Sequence, residues 1–211
     1  MREPTIVTIG RRFGSGGHEV GNRLAARLDI PLYDHNLIAM AARNLNLTRA
    51  QVEGVDETIL GKFLSGYVVS SGDYTMFMKE EDRLRPLSDR VYDAQAAIIR
   101  KLASRGPCIF VGRCADYVLG DYSNQINTFI YSYKDDRVRR VMDIYNLTEK
   151  EAEDRMKKID RARKQYYEVH TGREWGSVHG HAIILNTSLL GIDGAVDVLE
   201  GIYHKWEEKT L

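Results

Sequence analysis

The densest concentration of chemically capable residues is Gly10-Arg11-Arg12-Phe13-Gly14-Ser15-Gly16-Gly17-His18-Glu19, near the start of the chain. Closely spaced glycines let a backbone turn tightly around an anion. The β-branched run Thr5–Ile9 precedes them and reads as a buried strand. Val20, Leu24 and Leu28 follow at four-residue spacing, which is one face of a helix. Strand, glycine loop and helix N-terminus together present free N–H groups to a phosphate. Two motif templates compete, and neither is met in full. For a dinucleotide fingerprint, Gly14-Ser15-Gly16 supplies the first half, but Glu19 stands at the third glycine; Asp34, twenty residues after Gly14, stands where an acid would bind a ribose. For a nucleoside-triphosphate loop with Gly16 as its second glycine, Arg11 stands at the first glycine, Gly17 at the lysine and His18 at the hydroxyl.

Two further clusters carry charge suited to phosphate. Lys157-Lys158-Ile159-Asp160-Arg161-Ala162-Arg163-Lys164 lies on one expected helix, with Tyr166 and Tyr167 just after it. Asp160 is three residues from Arg163, so its carboxylate can hold that guanidinium; the plainer reading is a solvated basic face. Gly112-Arg113 closes the apolar run Cys108–Val111. An arginine at a strand end can grip a phosphate with two hydrogen bonds, or it can cap a helix or pair with Asp116. His170, His179 and His181 lack a neighbouring carboxylate or cysteine to complete a metal set. Trp175 reads as packing and Tyr33 as core.

The elements that must position these groups alternate between strand and helix. A helix is expected over Gly17–Leu28, where Pro31 ends it by pushing Ile30 out of helical conformation. A short extended piece, Ile30–Asp34, follows. From Asn36 to Ser88 the pattern is helical, with Leu37, Ile38, Ala41, Ala42 and Leu45 on one face and a capping pair at Thr48 and Gln51; Gly61–Lys79 has no assignable period. Ser88 or Asp89 caps a helix through Ala103. Strands are expected at Cys108–Val111, Thr128–Tyr131 and Ala182–Thr187, and helices at Ala115–Leu119, Asp135–Tyr145, Thr148–Tyr167 and Ile192–Trp206. This order implies an α/β domain with a mainly parallel sheet and helices on both faces. Ligands in such sheets sit beyond the C-terminal strand ends, which here gather Gly10 onward, Asp34, Gly112-Arg113 and Asn186-Thr187 at one cleft.

At 211 residues, the chain is long enough to bury a full core without staples. Lys plus Arg and Asp plus Glu balance at 30 each, so no global charge points to nucleic acid or a membrane surface. Cys108 and Cys114 form neither a disulfide framework nor a metal set and read as reduced thiols of a cytoplasmic protein. No run approaches the ~18 apolar residues of a membrane span. No stripe on an exposed face indicates an oligomer.

The order of Phe13-Gly14-Ser15-Gly16-Gly17-His18-Glu19-Val20-Gly21, Leu32-Tyr33-Asp34, Phe110-Val111-Gly112-Arg113-Cys114-Ala115-Asp116-Tyr117, Asp160-Arg161-Ala162-Arg163-Lys164-Gln165-Tyr166-Tyr167, Trp175 and Asn186-Thr187-Ser188 resembles the cytidylate-kinase-like family, relatives of bacterial CMP kinases among the P-loop nucleoside monophosphate kinases. The likeness spans Ile6 to about Ile202. It implies a P-loop NTPase fold, a three-layer α/β/α sandwich with a central parallel sheet, in a single domain over 1–211. The core would be 1–35, 89–150 and 180–211, with a helical monophosphate-binding insertion at 36–88 and a helical lid at 151–179. It further implies that Gly14, Ser15, Gly16, Gly17, His18 and Glu19 wrap the phosphates of ATP, which comes with Mg²⁺. Asp34 would open the acceptor segment, Arg113 would grip the acceptor phosphate, and Asp160, Arg161 and Arg163 would belong to the lid that closes on the transferring group.

The sequence departs from that family's pattern at the loop and at the acceptor site. Gly17 occupies the lysine position, Glu19 occupies the position of the Mg²⁺-binding hydroxyl, and Met40 stands six residues after Asp34 in place of an acceptor-binding arginine. Arg43, one turn further on, is the substitute acceptor residue. Arg11 and Arg12 are the candidates to replace the lost lysine, because phosphoryl transfer depends on neutralising phosphate oxygens. Glu19 either reaches the metal or serves as an acid at a helix N-terminus. The expected activity is phosphoryl transfer from ATP to a nucleoside monophosphate, CMP or dCMP. The alternatives are a kinase of the same fold with another acceptor, a nucleotide-binding regulator without turnover, and a nicotinamide-dinucleotide-binding module.

Overall fold

The computed structural model describes residues 4–34 and 87–209. The helices expected over Asn36–Ser88, their capping pair at Thr48 and Gln51, and the acceptor candidate Arg43 lie outside the described residues apart from the last stretch before Ser88.

Among the described residues, five parallel strands form one sheet: β1 (Ile6–Arg11), β2 (Leu32–Tyr33), β3 (Cys108–Val111), β4 (Gln125–Tyr131) and β5 (Ile183–Asn186). Their order across the sheet is β2-β3-β1-β4-β5. This order settles the choice between the two loop templates. In a dinucleotide-binding sheet β1 lies beside β2, whereas here β3 is inserted between them, with Ile6 opposite Cys108 and Ile9 opposite Val111. The fold is the P-loop NTPase arrangement.

Both sheet faces are covered, so the strands read as continuous apolar runs. α1 (Gly17–Leu28) and α6 (Thr187–Lys209) pack on the face of Val7, Ile9, Ile109, Val111 and Ile130. α2 (Leu87–Ala103) and α3 (Ala115–Val118) pack on the face of Ile6, Cys108 and Phe110. Phe110 is fully buried there, and truncating such a ring to alanine costs about 3–5 kcal/mol. α4 (Lys134–Tyr145) and α5 (Glu149–Thr171) form a third cluster around Val138, Val141 and Met156, with Phe13 of the glycine loop against it. That cluster is what brings α5 over the loop.

Element boundaries followed local chemistry, with shifts at several ends. Ser88 and Asp89 lie inside α2 rather than before it. β4 begins at Gln125, three residues before the expected Thr128, because polar Gln125 and Asn127 still pair with β1. α6 starts at Thr187, directly after β5, and absorbs a break at Gly191, whose φ of 67° is open to glycine. The capping box at Thr148 and Glu151 is present and opens α5, which runs a turn past Tyr167 to Thr171. No helix among the described residues is long and apolar enough to cross a membrane.

Candidate active site

The glycine loop turns at the end of β1 through Gly14 (φ 79°) and Gly16 (φ 77°), both left-handed. Side chains are crowded out at each: a Cβ on Gly14 would lie 2.9 Å from Val141, and one on Gly16 would lie 2.2 Å from Ile192. Ser15 is the loop's internal anchor. Its hydroxyl donates to the Arg12 and Ile130 carbonyls at 2.8 and 3.1 Å, and its N–H donates to Arg12 at 3.3 Å. Buried and engaged in this way, Ser15 shapes the loop without facing the cleft. Thr187 supports it from β5's end, donating to the Ser15 and Tyr131 carbonyls at 2.8 and 3.1 Å. The N-terminus of α1 follows at Gly16 with no side chain capping it. The first-turn N–H groups therefore face a cleft of about 1220 Å³ bounded by Gly14, Gly16, Gly17, His18 and Glu19.

Three arginines from three elements meet in that cleft: Arg11 from β1, Arg113 after β3 and Arg163 from α5. Arg113 sits in a left-handed turn (φ 58°) with its guanidinium over the Tyr166 ring at 5.8 Å. Arg163 donates to the Arg11 carbonyl at 3.3 Å and covers the Phe13 ring at 5.6 Å. Burial, and then the charges of Arg163 and Arg113, push the Arg11 guanidinium well below its ordinary pKa, with Asp34 opposing. Like charges held together at such a cost are what a polyanion would relieve.

Asp34, at the end of β2, is buried and accepts from His18 Nε2 at 3.1 Å. Arg12 is the more exposed loop arginine; it lies over the Trp175 ring at 5.6 Å and 3.9 Å from Asp160. Trp175 packs edge-on against Phe129 while also lining the cleft.

Other residues took different places from those expected. Asp160 does not pair with Arg163. Its carboxylate accepts from the Phe13 N–H at 2.8 Å and from Arg137 at 2.6 Å, so it fixes the loop to α5, and it does not line the cleft. Arg161 is exposed and absent from the cleft wall. Two residues along a helix turn through about 200°, so Arg161 and Arg163 point to opposite sides. Asp116 accepts from the Tyr167 hydroxyl at 2.6 Å and makes no ion pair with Arg113. Glu19 is bound by Arg23 at 2.5 Å and by Arg140. Burial opposes its charge, but the hydrogen bonds and charges of Arg140 and Arg23 outweigh it and hold the carboxyl below its usual range. A carboxylate so engaged does not fit a direct metal ligand, and no set of three His, Cys, Asp or Glu side chains gathers among the described residues.

Sequence reasoning missed Arg140 and Arg155, which line the cleft together with Lys158 of the basic cluster, and Arg137 beneath it. No local spacing marks them: α4 and α5 reach the loop through a packing cluster that they share with Phe13. Cys108 and Cys114 are buried, and burial pushes both thiols up to about 12, leaving them unreactive. The three histidines are dispersed: His170 stacks on Tyr92, His181 donates from Nδ1 to Asn127 at 2.8 Å, and His179 is exposed.

A family model described as the cytidylate kinase-like family matches residues 6–189. Among solved structures, an uncharacterized protein from Eubacterium ventriosum is 28% identical with a TM-score of 0.71, covering 95% of this chain and 98% of that one. TT1252 from Thermus thermophilus is 20% identical with a TM-score of 0.51, over 95% and 98%. A shikimate kinase from Bacteroides thetaiotaomicron is 12% identical with a TM-score of 0.51, again over 95% and 98%. The last two likenesses are of fold. No curated protein matches the sequence.

Proposed function

The chain belongs to the cytidylate kinase-like family, and we propose that it is a small-molecule kinase that transfers the terminal phosphoryl group of ATP to a nucleoside monophosphate, CMP or dCMP. The convergence of Arg11, Arg113 and Arg163 beside an uncapped helix N-terminus carries this reading. The donor's phosphates lie along Gly14, Gly16, Gly17, His18 and Glu19 through backbone N–H groups. Mg²⁺ arrives with the nucleotide as part of the substrate.

Arg113 grips the acceptor phosphate beside Asp34, and Arg163 approaches the transferring group from α5, the lid of the 151–179 region. Arg43 of the 36–88 insertion completes the acceptor side. A phosphate monoester has a second pKa of about 6 and is a dianion at neutral pH, so the acceptor oxygen needs no general base. The protein's contribution is positioning and charge stabilisation. Asp160 contributes by holding the loop, not by touching substrate.

A second reading, a kinase for a different small phosphorylated acceptor, is favoured by Met40, which stands where a cytidylate kinase has an arginine. One assay separates them: ADP release coupled to a panel of CMP, dCMP, UMP, AMP, GMP and non-nucleotide phosphate monoesters. Turnover with CMP or dCMP above the rest supports the first reading. Turnover only with another acceptor supports the second. Nucleotide binding with no turnover on any acceptor overturns both in favour of a regulator.

A further inference from the structure

The loop's lysine position holds Gly17, and the surroundings of that glycine explain why. A Cβ built there would lie 2.6 Å from Arg11 Cβ and 3.1 Å from Arg11 Cγ. Both are close to the backbone, so the clash cannot be relieved by swinging a side-chain tip. At the far end of the same side chain, a Cβ on Gly112 would lie 1.9 Å from an Arg11 Nη and 3.0 Å from Arg11 Cζ. Arg11 therefore runs from Gly17 to Gly112, across the C-terminal ends of β1 and β3, and delivers its guanidinium to the side of the cleft that holds Arg113.

We propose that Arg11 supplies the cation that the loop's lysine position lacks, binding the polyphosphate chain of a nucleoside triphosphate from the adjoining strand end. Gly17 is then glycine because a side chain there and the stem of Arg11 exclude each other, and Gly112 is glycine to seat the guanidinium. The proposal rests on the kinase reading only for the identity of the polyphosphate.

The alternatives in the loop are weaker. Arg12 is half-exposed and engaged with Trp175 and Asp160. Arg11 has no carboxylate in ion-pair contact among the described residues, and its nearest charged neighbours include two arginines. A guanidinium placed in this way serves a ligand better than it serves the fold.

The probes are inorganic tripolyphosphate and MgATP, titrated by calorimetry, with thermal unfolding of each variant alongside. Arg11→Met keeps the stem and removes the charge. It should weaken binding of both probes about ten-fold or more, as expected for a lost charge-assisted contact, without lowering the melting temperature. Gly17→Ala should lower the melting temperature, and should lower it less in an Arg11→Gly background, where the opposing Cβ is gone. Parent-like binding by Arg11→Met overturns the proposal. So does a fall in its melting temperature in step with the lost binding, or an equal cost of Gly17→Ala in both backgrounds. Failure of the kinase reading is read separately: parent protein that binds tripolyphosphate through Arg11 yet phosphorylates no acceptor removes that reading and leaves this one standing.

Discussion

The carboxylate of Asp160 accepts the amide proton of Phe13 at 2.8 Å, joining residues 147 positions apart. Its other oxygen holds Arg137, and both side chains are nearly buried. Arg137 also donates to the Phe13 carbonyl at 3.2 Å, so the pair clamps both polar groups of one loop residue. Loop, α4 and α5 are therefore tied at a single point.

Asp160→Asn should be strongly destabilising. The amide can still accept from Phe13, but Arg137 is left buried without its counter-ion, a loss of about 3–5 kcal/mol. Chemical denaturation measures it. The double variant Asp160→Asn with Arg137→Met should recover part of that stability, since it removes the stranded charge; if the two losses simply add, the clamp is not the cause.

Arg161 and Arg163 should separate cleanly. Arg163→Ala, which removes a cation from the cleft, should lower turnover or MgATP affinity by ten-fold or more, in keeping with a charge-assisted contact of about 1.5–3 kcal/mol. Arg161→Ala should change either by less than about two-fold, as expected of an exposed charge. Equal effects would mean that α5 rotates or unwinds when ligand binds.

Glu19→Gln tests whether that carboxylate serves a metal or a pair of arginines. Paired with Arg23 and Arg140, it should leave the Mg²⁺ concentration needed for half-maximal ATP binding unchanged. Because its pKa is depressed in the folded protein, its small contribution to stability is present above its free value of about 4.3. That contribution is lost as pH falls through the lower folded value. Parent and variant should differ in melting temperature at pH 7 and converge near pH 3. A raised Mg²⁺ requirement would restore the metal role.

His181 should make the protein acid-sensitive. Burial lowers its pKa, with Asp116 opposing, and its Nε2 is buried without a partner among the described residues. Above about 6.5 the ring is neutral both folded and unfolded. Below that the unfolded chain takes the proton first, so stability is lost down to the folded pKa and then levels off. Melting temperatures from pH 7.5 to 5 should fall less steeply in His181→Gln; parallel curves would contradict this.

Much of the scaffold was legible along the chain because its signals are local. Val20, Leu24 and Leu28 mark one helix face whatever surrounds them, and Thr148 with Glu151 caps a helix by contacts three residues apart. The run Cys108–Val111 is apolar throughout because both faces of its sheet are covered. The boundaries that moved, at β4 and α6, did so where strand pairing or a helix break outweighed local polarity. Of the cleft arginines, Arg113 was legible from its place at a strand end and Arg163 from a basic helix, Arg11 only as a replacement for the lysine of the family pattern that is missing here, and Arg140 and Arg155 were not legible.

What the chain order could not convey is which way those side chains turn and whom they meet. By itself the sequence determined the α/β fold, the glycine loop and the family likeness, since each rests on spacing between near neighbours. Only the tertiary structure decided that β3 lies between β1 and β2, that Asp160 serves Phe13 and Arg137 instead of Arg163, and that Arg161 faces away. It also decided that the glycine at position 17 is filled from six residues earlier by the stem of Arg11. Those outcomes depend on contacts between segments far apart in the chain, made when apolar faces pack, and no local spacing encodes them.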